Sequence, residues 1–128
     1  TIMSKQWLIG FTEAEGSFYL VKKDCKRIIQ MFEITQKHDK IVLEAIAKIL
    51  SMKVYNKKTY YTCISTSKEN IQGIIQYFSN TIKGVKSLEF KLWSRSFTKR
   101  LSYSQLEDLQ IKINKIRNKH KDINSLVY

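Results

Sequence analysis

Proline is absent from all 128 residues, and glycine occurs only 4 times. Nothing in the chain reads as a flexible linker, and helix-period and strand-period segments follow one another with few breaks. Cysteine is scarce too. Cys25 and Cys63 form neither a disulfide framework nor a zinc spacing, so both read as free thiols in a reducing compartment. No apolar run approaches the ~20 residues a bilayer span needs, and the N-terminus lacks a secretory pattern, so no membrane partner is expected. The chain starts at Thr1 rather than Met, which reads as processing or as a piece of a longer protein. Acidic residues are the remaining shortage: 11 against 23 basic ones, a net charge of +12.

That charge is spread. Residues 1–64 hold 11 basic and 6 acidic side chains and residues 65–128 hold 12 and 5, leaving +5 and +7, so no detachable tail carries it. A folded domain this basic faces a polyanion, of which nucleic acid is the commonest; the bland alternative is a lysine-rich solvated surface. Lysine outnumbers arginine 19 to 4 and isoleucine occurs 17 times, the usage of A/T-rich codons and hence of a mitochondrial or other organellar genome. At this length the expectation is a single domain over residues 1–128 with its own core.

Apolar spacing gives the coarse order. A first helix covers about residues 5–16. Residues 17–23 then alternate and turn through a polar loop into a strand over 27–36, with Phe18, Leu20, Phe32 and Ile34 on the apolar side. Val42, Leu43, Ile46, Ile49 and Leu50 recur at helical spacing. A second hairpin runs over 53–57 and 60–66. Thr66 and Glu69 have capping-box spacing ahead of a helix bearing Ile71, Ile74, Ile75 and Phe78. C-terminal helices follow over about 87–122, the last capped by Ser104 and Glu107 and burying Leu106, Leu109, Ile113 and Ile116. Each hairpin has one apolar face to cover, so the expected fold class is α+β: a four-stranded antiparallel sheet with helices on one face.

The most informative stretch is Trp7-Leu8-Ile9-Gly10-Phe11-Thr12-Glu13-Ala14-Glu15-Gly16, an apolar helix that runs into two carboxylates and a glycine. Gly10, Ala14 and Gly16 would let another backbone approach closely, and Gly16 can end the helix. Glu15 then sits at the negative end of the helix macrodipole, where an anion is disfavoured unless a cation compensates; it is a candidate metal ligand. Glu13 and Glu15 are too close in sequence to share one helix face, so they need separate roles.

This run, continuing through Ser17 and Phe18, resembles the signature of the LAGLIDADG homing endonucleases. Phe32-Glu33-Ile34-Thr35-Gln36-Lys37 and Gly84-Val85-Lys86-Ser87-Leu88-Glu89-Phe90 resemble two further segments of that family. The resemblance spans about residues 5–101. It implies the αββαββα fold with a curved sheet laid over DNA, and a signature helix that forms the interface between subunits or halves. It also implies a site-specific double-strand DNA endonuclease that hydrolyses phosphodiesters in a long target with Mg2+ or another divalent metal. Carried over by position, Glu15 would ligate the metal together with the backbone carbonyl of Ala14. Gln36 would order the attacking water and Lys86 would stabilise charge on the phosphate. Leu8, Gly10, Phe11, Glu13 and Gly16 would build the interface. The family's usual final aspartate is glutamate at position 15, which moves the metal by a methylene. With a single motif, the chain should homodimerise or pair with a second LAGLIDADG half.

Strand parity puts Ser17, Tyr19, Val21, Lys23, Arg27, Ile29, Met31, Glu33, Lys53, Tyr55, Lys57, Thr62 and Ile64 on the face that would read double-stranded DNA. The basic run Lys112, Lys115, Arg117, Lys119 and Lys121 suits phosphate contact or a solvated helix. Two alternatives share the scaffold: a group I intron maturase binding intron RNA, with or without residual nuclease activity, and a noncatalytic DNA-binding regulator.

Overall fold

In the computed structural model, which describes residues 4–84 and 86–127 with side chains to residue 119, nine elements follow one another. They are α1 (Lys5–Glu15), β1 (Gly16–Lys22), β2 (Ile28–Gln36), α2 (Lys40–Leu50), β3 (Lys53–Asn56), β4 (Tyr61–Ser65), α3 (Lys68–Phe78), α4 (Ser87–Thr98) and α5 (Tyr103–Val127). The strands form one sheet in the order β1-β2-β4-β3, so α2 carries the chain past the place that β4 later fills. The pairs β2·β4 and β3·β4 are antiparallel. The fold is α+β, as the alternation of periods predicts.

The chain divides into two compact units that alternate along the sequence: residues up to Ser17 with Met31–Ile82, and Phe18–Gln30 with the chain from Lys83 onward. In the first, α2 lies on the sheet side that carries Phe32, Ile34 and Cys63, and Cys63 Sγ donates to the Leu43 carbonyl at 3.5 Å. Leu43, Ile46, Ile71, Ile74 and Phe78 complete that core. Of the apolar positions expected on α2, Ile49 is exposed and Ala47 is buried in its place, because the covered arc of the helix is narrower than its apolar arc. The loop from α2 to β3 passes through Ser51 in the left-handed region (φ 56°, ψ 47°).

In the second unit Phe18 meets Phe90 edge-on at 5.2 Å and Trp93 at 5.0 Å, with Leu20, Ile28, Leu109 and Ile113 around them. The Trp93 indole N–H donates to the Tyr19 carbonyl at 3.1 Å and the Gln110 amide donates to the Leu20 carbonyl at 2.9 Å. Side chains of α4 and α5 thus each bond a β1 carbonyl, which ties both helices to that strand.

Both expected caps shift by a residue or two. Ser67, not Thr66, accepts from Asn70 N–H at 3.3 Å to start α3. Ser102 and Gln105, not Ser104 and Glu107, make the reciprocal capping box of α5, with bonds of 3.2 and 2.9 Å. Each neighbouring pair satisfied the same spacing rule, and the chain exit from the preceding element decides between them. Glu107 instead pairs with Lys22 of β1 at 2.7 Å, which raises the Lys22 pKa by that hydrogen bond and charge.

Candidate active site and nucleic-acid interface

Helix α1 starts at Ser4, whose side chain accepts from Trp7 N–H at 3.1 Å. It buries one narrow stripe, Leu8 and Thr12, within the first unit, and the Lys5 ammonium lies 4.9 Å from the Tyr77 ring centroid of α3. The opposite side is open. Trp7 is 44% exposed and stacks on half-buried Phe11 at 5.0 Å. Gly10 and Ala14 are exposed, and a Cβ built on Gly10 would meet nothing within 4 Å. A face of exposed glycine, alanine and tryptophan among the described residues is an unmatched packing surface.

Gly16 behaves differently from the expected helix-ending glycine. It adopts φ −82°, ψ 159°, which any residue can take, and its N–H donates to the Thr12 carbonyl. Glycine is required there by crowding: a Cβ would lie 2.7 Å from Thr12 O and 2.8 Å from Thr12 Cγ2. The chain passes from the last turn of α1 straight into β1. Gly16 is therefore a close-approach position inside the chain, whereas Gly10 and Ala14 are free to meet another backbone.

That junction presents the two acids separately, Glu13 half-buried and Glu15 exposed. The carbonyl of Ala14 lies in the last turn, where helix carbonyls have no partner further along the helix. An exposed carboxylate beside such carbonyls, at the negative end of a helix dipole, is a set of hard oxygen donors that attracts a cation. No cluster of three or more His, Cys, Asp or Glu side chains suited to a metal occurs among the described residues. Gln36 is the last residue of β2, half-buried and paired with Tyr61. Lys86 lies in the second unit at the N-cap of α4, half-buried, its carbonyl accepting from Phe90 N–H at 2.9 Å. Glu89, read in the sequence only as part of a motif, is 2% exposed.

The sheet surface divides by unit. In the first, the register sets two cross-strand rows on one face: Glu33, Ile64 and Lys53, then Thr35, Thr62 and Tyr55. Lys53 and Tyr55 are exposed, and Ser17, Met31, Glu33 and Ile64 are half-buried. Thr62 departs from the expectation of an outward contact, because it is fully buried and its hydroxyl meets the protein's own oxygens. In the second unit Tyr19, Val21 and Ile29 are half-buried, and the Arg117 guanidinium lies 5.0 Å from the Tyr19 ring centroid. That contact was not legible in the spacing, which gives Arg117 only as one of a basic run. Lys112, Lys115 and Lys119 of that run are exposed, and the side chain of Lys121 lies outside the described residues. Lys23, Arg27 and Lys57 stand in turns beyond the strand ends. In the β1–β2 turn Asp24 accepts from Lys26 N–H at 2.8 Å and Arg27 Nε at 2.9 Å, and these bonds hold its carboxyl below the usual range.

Residues 8–97 match the family described as LAGLIDADG endonuclease. The chain is 46% identical over 127 residues to "Probable intron-encoded endonuclease Cox1-I1b" of Schizosaccharomyces pombe, a match covering 92% of this chain and 33% of that protein. It is 31% identical over 122 residues to "Uncharacterized mitochondrial protein RF1" of Saccharomyces cerevisiae, covering 88% of this chain and 25% of that one. The chain therefore spans a third or less of these relatives. Among solved structures, it superposes on the homing endonuclease I-TnaI with TM-score 0.70 and 25% identity, covering 91% of this chain and 86% of that one. It also superposes on I-GzeII in complex with its DNA target with TM-score 0.71 and 26% identity, covering 91% and 44%.

Proposed function

The chain belongs to the LAGLIDADG endonuclease family, and from that membership we propose that it is one catalytic half of a site-specific double-strand DNA endonuclease acting in mitochondria. The observation that carries this reading is the junction of α1 with β1, where exposed Glu15 ends a helix whose Gly10 and Ala14 are exposed among the described residues. A second copy of that helix, from another chain or from a further segment of a longer polypeptide, covers the open stripe. It brings a second Glu15-like carboxylate to the same place. The carboxylate of Glu15 and the carbonyl of Ala14 would hold Mg2+ or another divalent cation between the halves, and their hard-oxygen character suits it. When bound, such a cation neutralises phosphate charge and lowers the pKa of coordinated water.

The other side chains take roles that need no further group. The Gln36 amide both donates and accepts, so it orients a water molecule; the Lys86 ammonium stabilises charge developing on the scissile phosphate. The net charge of +12 draws the polyanion, and the sheet rows read the major groove.

The test is cleavage of a randomised double-stranded DNA library by the chain with Mg2+ or EDTA, repeated with Glu15→Gln. Enrichment of one cut sequence that needs both the metal and Glu15 is the expected result. Binding to a DNA sequence without cutting in any divalent metal would instead mark a regulator. Binding to structured intron RNA with no DNA preference would mark a maturase.

A further inference from the structure

The hydroxyl of Thr62 lies at the middle of the first unit's sheet, fully buried, 3.2 Å from Glu33 Oε2, 3.2 Å from the Ile34 carbonyl and 3.3 Å from Thr35 Oγ1. A hydroxyl has one hydrogen to give and two lone pairs to offer. Only one of the Glu33 carboxylate and the Ile34 carbonyl receives it at a time, and the charged acceptor makes the stronger bond. Thr35 has its own hydrogen and donates it into Thr62. The result is a directed chain, Thr35 to Thr62 to Glu33, that ties one carboxylate oxygen to the sheet.

Glu33 needs such a tether. It shares a cross-strand row with Ile64 and Lys53 on a strongly basic protein. A free glutamate there would sample many rotamers and lean towards lysine. Oε2 is tied down beside Thr62, and Oε1 makes no hydrogen bond or ion pair among the described residues. An oriented carboxylate on a groove-reading surface accepts from an exocyclic amine, the N4 group of cytosine foremost. It repels the carbonyl oxygens that guanine and thymine show at the same place.

Resting on the endonuclease reading above, we infer that Thr62 is a specificity-determining positioning residue: buried and out of reach of DNA, it aims Glu33 at the amino group of one base. The measurement is a base-by-base preference profile from binding and cleavage of a randomised DNA library, taken for the wild-type chain, Glu33→Gln, Thr62→Val and Thr62→Ser. Glu33→Gln identifies the base position that Glu33 reads. Thr62→Val keeps shape and strand propensity and removes the hydroxyl. It should flatten preference at that same position by roughly five- to tenfold and leave the others unchanged. Thr62→Ser should restore the wild-type profile. If Thr62→Val fails to fold by circular dichroism, Thr35→Val should give the same change confined to that position, smaller in size. A Thr62→Val profile identical to the wild type, or one lowered evenly at every position, overturns the inference while leaving the endonuclease reading intact. A wild-type chain with no preference at any position overturns that reading and this one with it.

Discussion

At the scale of single residues, the acids near the end of α1 divide by exposure. Glu15 reaches solvent at the helix end and Glu13 is half covered. Glu15→Gln keeps the shape and removes the charge, so DNA binding should persist while cleavage falls on the order of a thousandfold, since several kcal/mol of charge stabilisation is lost. Single-turnover cleavage beside a binding titration separates the two. The cysteines offer a second contrast. Burial pushes the Cys63 thiol up to about 11, whereas Cys25 is exposed. At pH 8 iodoacetamide should modify Cys25 in the native chain and Cys63 only on unfolding, read by mass spectrometry. The sign for stability follows from the same shift. The unfolded thiol ionises near 9 and the folded one near 11, so the unfolded state sheds its proton first. Stability should fall as pH rises between those values, by about 1 kcal/mol per pH unit, and Cys63→Ala should remove that slope. The exposed place of Glu15 at the end of α1 was legible because a motif fixes its position on a helix. The Thr62 hydroxyl chain was not, because which side chain on a strand face is covered depends on neighbours brought in from β2 and β3.

At the scale of elements, Gly10 within α1 and Gly16 just after it make opposite predictions. Gly16→Ala forces a methyl against the backbone carbonyl of Thr12, which cannot rotate away. It should destabilise the chain by about 1–3 kcal/mol in urea unfolding. Gly10→Ala meets open space within the chain. It should stabilise the isolated chain by about 0.5–1 kcal/mol through helix propensity. It should also weaken self-association in sedimentation, if the open face seats a second backbone. Element type was legible nearly throughout, since strongly periodic runs such as Phe32–Ile34 or Ile71–Phe78 admit one reading. Ends were not. The shift of the α5 cap from Ser104 to Ser102, and the direct step from α1 into β1 at Gly16, depend on where the chain comes from, and no local pattern records that.

At the scale of the whole molecule, the even spread of positive charge along both halves of the sequence predicts a strong salt dependence. With about six to ten phosphate contacts, DNA affinity should drop roughly 10³- to 10⁵-fold between 50 and 200 mM salt, measured by fluorescence anisotropy. Replacing Arg117 by Ala, which strips the cation from the Tyr19 ring, should lower that slope by about one unit if it meets a phosphate.

The sheet's margins set a further condition on assembly. On one side, the Trp93 indole of α4 and the Gln110 amide of α5 bond two main-chain oxygens of β1, those of Tyr19 and Leu20. On the other, β3 is a four-residue strand that opens on Lys53. The shortness of β3 and its lysine discourage lateral pairing at that border. If the proposed pairing holds, a mate would approach along the helical ridge of Trp7, Gly10 and Ala14 rather than by extending the sheet, and a cation would have to offset the repulsion between the two Glu15 carboxylates.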